Sequence, residues 1–176
     1  MPLGNGERAP DFRLRGIDND HWILGEPDQR RSVLLAFFRR EVATCRLMLP
    51  FIERLHRRAR ARQAEIIGIS LDSQCDTLEF AQDYSLTFPI LIDGPDLGTC
   101  RAYRVERLPT TYRLDATLHV ADSVVGWSRE GFERLARGYL EDVGALLLSP
   151  WEASDEPPEI GDASPILKLM PRVTST

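Results

Sequence analysis

The chain has 176 residues, of which 43% are hydrophobic and 28% charged, and its formal net charge is −5. This length allows one domain with a substantial core and is short for two, and the mildly negative charge argues against nucleic acid as the main partner. Because no apolar run reaches the roughly eighteen residues of a membrane span and the N-terminus has no secretory signal, we expect a cytoplasmic protein with no membrane partner and with reduced thiols.

Strand and helix signals alternate along the first part of the chain. Short strands over 12–14 and 21–24 flank a polar turn and predict a hairpin. The continuous apolar run 33–38 is typical of a buried strand in a sheet that is covered on both faces. From 43 to about 62 the apolar residues recur at helical spacing, with Pro50 inside the helix, where it should introduce a kink.

The alternation continues to about residue 148. The further predicted elements are strands over 65–71, 89–92, 110–114 and 118–125, and helices over 75–84, 97–103 and 129–148. Strands that alternate with helices imply a mainly parallel sheet with right-handed crossovers, and the last hairpin adds antiparallel strands. We therefore predict one α/β domain over residues 1–148, with a mixed central sheet flanked by helices.

Residues 149–176 differ from the domain in composition. The stretch 152–159 is acidic and rich in proline, so it cannot bury enough apolar surface to fold alone. Hydrophobic residues return at 166–170. A flexible tail and a tail that docks on the domain or on a partner both fit this pattern, and we favour the flexible tail.

Arginine supplies nearly all of the positive charge, and five arginines cluster in the long helix: Arg54, Arg57, Arg58, Arg60 and Arg62. A solvated helix face is favoured over an anion-binding patch, because charge runs on helices usually face water. The three cysteines, Cys45, Cys75 and Cys100, are odd in number and lack metal-ligand spacing. We expect no metal site and no other cofactor.

Two segments carry a resemblance to a known family. Residues 37–50, with the sequence FFRREVATCRLMLP, run from a strand into a helix with Cys45 in its first turn, similar to the active-site segment of thioredoxin-like redoxins. Residues 105–115, VERLPTTYRLD, resemble the loop that carries the cis-proline of that fold, here Pro109. With APDF at 9–12, the chain resembles the alkyl hydroperoxide reductase and thiol-specific antioxidant superfamily, which implies a thioredoxin-like fold.

The resemblance implies thiol-based redox chemistry on Cys45. A helix N-terminus favours the thiolate, and Arg39 and Arg40 would add electrostatic support. An extended substrate would pair with the backbone edge beside Pro109, and Gly126 resembles a family glycine at which the backbone is closely approached. The residues that the resemblance assigns to substrate binding are Val42, Thr44, Arg46, Leu108, Pro109 and Thr110.

The sequence departs from the family pattern at three positions. Val42 stands where the first cysteine would be, Glu41 replaces a tryptophan, and Met48 stands where related proteins carry a glutamate. Valine cannot attack a disulfide, so ordinary dithiol–disulfide exchange is not expected.

Three hypotheses remain for Cys45. In the first, which we favour, it acts alone as a thiol reductase or a peroxiredoxin-like peroxidase, on a small peroxide or a thiol or disulfide substrate. In the second, the fold has lost catalysis and binds a peptide or partner protein, with Cys45 as a buried hydrophobe. In the third, Cys45 pairs with Cys75 or Cys100, although unpaired cysteines are favoured. No oligomeric state follows from the sequence.

Overall fold

The computed structural model describes residues 1–25, 32–59, 65–145 and 147–166. Its strands and helices in these ranges are β1 (Phe12–Gly16), β2 (His21–Leu24), β3 (Val33–Phe38), α1 (Ala43–Ala59), β4 (Glu65–Ser70), α2 (Gln74–Asp83), β5 (Ile90–Ile92), α3 (Gly98–Ala102), β6 (Arg107–Leu108), β7 (Thr110–Leu114), β8 (Val120–Val125), β9 (Trp127–Ser128), α4 (Arg129–Asp142), β10 (Ile160–Gly161) and β11 (Ser164–Pro165).

A seven-stranded mixed sheet with the order β2-β1-β5-β4-β3-β7-β8 forms the centre of the molecule. Strand β3 runs parallel to β4, and β4 runs parallel to β5, whereas the other neighbours are antiparallel. Every residue of β3 is buried, as its continuous apolar run predicted for a central strand. The predicted α/β architecture with a mixed sheet is therefore confirmed.

The element boundaries follow the predicted ones closely, with one larger difference. The helix expected over 129–148 ends at Asp142. The cause is Gly144, whose φ of 69° is a left-handed conformation that commonly terminates a helix. Ser73 caps α2 as expected, since its side chain accepts a hydrogen bond from the Asp76 N–H at 3.1 Å. Within the described ranges, no helix is both long enough and apolar enough to cross a bilayer.

Residues 151–166, here called the strap, dock on the domain. Strand β10 pairs with β9, and β11 pairs with β6, both antiparallel. Trp151 packs against the rings of Phe51, Trp127 and Phe132. The expectation of a flexible tail is wrong for the strap, because the domain supplies the apolar surface that this segment lacks. The rest of the predicted tail, 167–176, lies outside the described residues.

Candidate active site

Cys45 lies in the first turn of α1, at the carboxyl end of the central strand β3. Its backbone N–H donates to the carbonyl of Val42 at 3.0 Å. Val42 and Met48, the two residues that depart from the family pattern beside it, are 3% and 2% exposed, and Cys45 itself is 0% exposed. The remaining thiol of the motif is therefore enclosed by protein.

Burial raises the pKa of the Cys45 thiol to about 12, because a thiolate loses its hydration in the protein interior. A backbone hydrogen bond from Arg39 and the charge of Arg46 favour the thiolate, while the carboxylate of Asp72 opposes it. The expectation that the helix start and nearby arginines lower this pKa is wrong, because the desolvation exceeds both favourable effects.

Arg39 and Arg40 are engaged with carboxylates on the side of α2. The Arg39 Nε donates to Asp72 Oδ1 at 3.0 Å, and the Arg40 backbone N–H donates to Asp72 Oδ2 at 2.7 Å. The Arg40 guanidinium donates to Glu79 at 2.9 Å. These two arginines therefore fix the loop before α1 to the loop before α2, which corrects the expectation that their charges support a Cys45 thiolate.

The predicted cis-proline is present, since the Leu108–Pro109 peptide bond is cis. Strand β7 begins directly after it, and Thr110 pairs with Phe37 near the end of β3. A hydrogen bond from the Thr111 hydroxyl to the Met48 sulfur, at 3.4 Å, joins β7 to α1. The structure thus brings the proline loop and the start of α1 together, as the resemblance implied.

The strap occupies the backbone edge beside this loop. Ser164 pairs with Leu108, the residue before the cis-proline. The Thr44 hydroxyl, in the first turn of α1, donates to the carbonyl of Asp162 at 2.6 Å. We call this surface the cis-proline groove, and its lining includes Thr44, Arg107, Leu108, Gly126 and Trp127.

The domain holds the strap largely through main-chain atoms of the strap. Arg107 donates to the carbonyl of Ala163 at 2.5 Å, and the Trp127 indole N–H donates to the carbonyl of Pro158 at 2.7 Å. The Ile166 N–H donates to a carbonyl in the loop before β6 at 3.0 Å. Such contacts recognise an extended backbone with little dependence on its side chains.

Two glycines allow the strap to approach closely. A Cβ atom at Gly126, where φ is 77°, would lie 3.1 Å from the Ala163 Cβ. A Cβ atom at Gly161 would lie 3.1 Å from the Trp127 Cβ and 3.2 Å from the Thr44 Cγ2. The close approach predicted at Gly126 is confirmed, and the approaching chain is the strap.

The other residues predicted to bind substrate belong to the body of the domain. Val42, Pro109 and Thr110 are buried. The Arg46 guanidinium donates to the backbone carbonyl of Arg40 at 2.7 Å. Thr44 and Leu108 are thus the two predicted binding residues that the structure places directly on the extended chain of the strap.

The arginines of α1 face the acidic part of the strap. Arg54 forms an ion pair with Asp155 at 2.5 Å, and Arg58 forms one with Glu152 at 3.2 Å. The expectation of a solvated helix face is therefore wrong for these two arginines. The predicted cluster also includes two arginines within 60–64, a range that lies outside the described residues.

The three cysteines are free thiols, Cys75 exposed and the other two buried. Burial raises the pKa of Cys100 to about 12, and its Sγ donates to the carbonyl of Val105 at 3.4 Å. The hypothesis that Cys45 pairs with another cysteine is therefore wrong for this structure. Across the described part of the chain, no cluster of three or more His, Cys, Asp or Glu side chains could hold a metal.

Residues 5–123 match the AhpC/TSA family model. The chain belongs to the AhpC/TSA family. It is 32% identical over 128 residues to the thioredoxin-like protein YneN of Bacillus subtilis, covering 70% of this chain and 73% of YneN. It is 29% identical over 131 residues to the thiol-disulfide oxidoreductase ResA of Geobacillus kaustophilus, covering 73% of this chain and 74% of ResA.

Among solved structures, a putative thiol:disulfide interchange protein DsbE from Chlorobium tepidum superposes on this AhpC/TSA chain with a TM-score of 0.72. The sequence identity is 25%, and the match covers 81% of this chain and 99% of that one. The predicted superfamily and thioredoxin-like fold are confirmed, and the family is one of thiol-disulfide oxidoreductase-like proteins. The strap follows the region that the family model matches.

The docking of the strap was not predicted from the sequence. Two signals could have found it: a tryptophan, Trp151, in an otherwise polar acidic segment, and an arginine-rich helix face of opposite charge within the same chain. A buried aromatic ring and complementary charge together predict docking better than either does alone.

Proposed function

We propose that this AhpC/TSA chain is a non-catalytic module that binds an extended polypeptide segment in the cis-proline groove. The observation that carries the proposal is the strap, an extended chain held there by its main-chain carbonyls and by pairing of β11 with β6. In recognition of this kind, main-chain hydrogen bonds supply affinity and side-chain pockets supply specificity.

The surroundings of Cys45 support a structural role for this residue. A thiol with a pKa of about 12 is almost entirely protonated at neutral pH, and the protonated thiol is a poor nucleophile. Val42 stands at the position of the first cysteine, which a dithiol cycle needs besides Cys45, and it is itself buried. Cys45 thus packs as a small apolar side chain.

A second candidate function is thiol redox chemistry on Cys45, acting on peroxides or mixed disulfides. Family membership favours it, as does the position of the thiol at a helix start with a backbone hydrogen bond from Arg39. In this candidate the Cys45 thiolate attacks a peroxide oxygen, so that the O–O bond breaks, a sulfenic acid forms and hydroxide or alkoxide leaves. Alternatively it attacks a disulfide sulfur, so that the S–S bond breaks, a mixed disulfide forms and the other sulfur leaves as a thiolate. The reaction needs both ionisation and exposure of the thiol, whereas polypeptide binding needs only that the strap leave the groove.

The test is binding of a fluorescently labelled peptide spanning Pro157–Ile166 to the full-length Gly161→Val variant. A Cβ alone at this position would lie 3.1 Å from the Trp127 Cβ and 3.2 Å from the Thr44 Cγ2. Because valine adds two further methyl groups, we expect the strap to leave the groove. We expect saturable binding, measured by fluorescence anisotropy, and equal affinity when Cys45→Ala is added. Absence of binding at millimolar protein would contradict the proposal, and reduction of a peroxide or disulfide by Gly161→Val that Cys45→Ala abolishes would favour the redox candidate.

A further inference from the structure

The strap presents small residues to the domain at alternate positions. Gly161 and Ala163 are two residues apart, so in an extended chain they face the same side. That side lies against the groove, where the Trp127 Cβ and the Thr44 Cγ2 leave little space for any side chain at position 161. Position 163 meets the Cα side of Gly126, which has no side chain of its own. The groove therefore selects small residues at these two positions.

Acidic residues precede this small-residue segment and meet arginines of α1. The Asp155 side chain is 9% exposed and the Arg54 side chain 28%, so their ion pair is partly shielded from solvent. Glu152 reaches both Arg54, at 3.4 Å, and Arg58, at 3.2 Å. Ion pairs in such a setting are screened less by salt than fully exposed pairs are.

The strap ends on an apolar surface. Ile166 is 7% exposed, and together with Pro165 it forms a wall of a cavity that Leu97, Cys100 and Val105 also line. The strap thus carries three features in a fixed order: acidic residues, small residues at alternate positions, and an apolar end.

We infer that the strap is an intramolecular occupant of the cis-proline groove, and that it excludes a partner polypeptide segment with these same three features in the same order. The inference rests on the proposed function, because it requires that the groove accept polypeptide from outside the chain. It adds a regulatory step, since a partner binds only when it displaces the strap. The inference also specifies the chemical class of the partner, a polypeptide segment with acidic residues, then small residues at alternate positions, then an apolar end.

The factor by which the strap weakens binding of a free peptide follows from its attachment to the domain. A segment attached by a short linker has an effective concentration in the millimolar range. A free peptide that binds an open groove with a Kd of about 10–100 μM should therefore bind the wild type about 10–100-fold more weakly.

The experiment compares four full-length proteins by fluorescence anisotropy with a labelled Trp151–Ile166 peptide, which carries all three features. They are the wild type, the two release variants Gly161→Val and Asp155→Arg, and Ala153→Val as a matched control at an exposed position of the strap. We expect Gly161→Val to bind at least tenfold more tightly than the wild type and Ala153→Val to behave like the wild type. Asp155→Arg, which places a positive charge beside Arg54, is a second route to strap release and should also bind more tightly.

Each unexpected binding result would overturn a different part of the account. Equal binding to the wild type and to both release variants would overturn exclusion by the strap and leave the proposed function intact. Binding to none of the proteins would overturn the proposed function and this inference together. A wild-type dimer whose strap exchanges between copies, detected by light scattering, would overturn the intramolecular assignment. A peptide carrying Gly161→Val that binds as well as the parent peptide would overturn the small-residue requirement.

Discussion

Native Cys45 should react with iodoacetamide far more slowly than an ordinary thiol. At pH 7.5 a free cysteine is about 9% thiolate. The thiolate fraction of a thiol with a pKa of about 12 is about 3000-fold lower. A more basic thiolate is more nucleophilic, and with a Brønsted slope of about 0.45 its rate constant is about 40-fold higher. Ionisation alone therefore slows the reaction by about 80-fold, and burial slows it further.

Peptide mapping by mass spectrometry after timed alkylation measures this rate, and the chain carries its own reference. Cys75 is exposed, so it should be labelled early, whereas Cys45 and Cys100 should stay unlabelled while the protein is folded. In guanidinium chloride all three should react at similar rates, because burial is lost. Labelling of native Cys45 within tenfold of the rate at Cys75 would contradict both the burial of this thiol and its raised pKa.

Two further predictions concern buried charge and the strap. Burial raises the pKa of Glu53, but hydrogen bonds from Thr87 and Arg57 outweigh it and leave the pKa below its ordinary value. Its contribution to stability is therefore present above the unfolded-state pKa and lost as the pH falls, so Glu53→Gln should lower the free energy of unfolding by about 2 kcal/mol at pH 7. Urea titrations at pH 7 and pH 3.5 check this, and equal acid sensitivity in variant and wild type would contradict it. Arg54→Ala should weaken docking of the strap by about 1–2 kcal/mol, because Asp155 loses its partner. Hydrogen exchange at the Ile166 amide should then quicken about 5- to 30-fold. The control Arg8→Ala, which breaks an exposed pair with Asp11, should leave that amide unchanged. An unaltered rate in Arg54→Ala would count against the ion pair.

The sequence predicted the features that depend on local pattern. The apolar run of β3 and the helical spacing of α1 predicted a strand and a helix with nearly the observed bounds. The cis-proline at Pro109 followed from the family pattern. In each case neighbouring residues in the chain carry the information, so no knowledge of distant contacts was needed.

The state of the candidate site depends on contacts that no local pattern contains. The Thr44 hydroxyl meets the carbonyl of Asp162, 118 residues further along the chain. The pKa of Cys45 depends on how completely Val42, Met48 and their neighbours exclude water, which proximity to arginines in the sequence does not indicate. Tertiary packing thus reversed the expected electrostatics of the thiol.

The same long-range packing decided the fate of the C-terminal segment. Its composition correctly indicates that it cannot fold alone, yet Trp151 finds an aromatic surface on Phe51, Trp127 and Phe132. A segment that fails to fold by itself can still dock when the domain supplies the missing apolar area.

The inertness of Cys45 toward redox chemistry should persist even when the cis-proline groove is open. Its most direct test compares the full-length Gly161→Val variant with Gly161→Val/Cys45→Ala for reduction of a protein disulfide by dithiothreitol and for consumption of hydrogen peroxide. Both proteins should leave the uncatalysed rates unchanged. Turnover by Gly161→Val that disappears when Cys45→Ala is added would contradict this inertness.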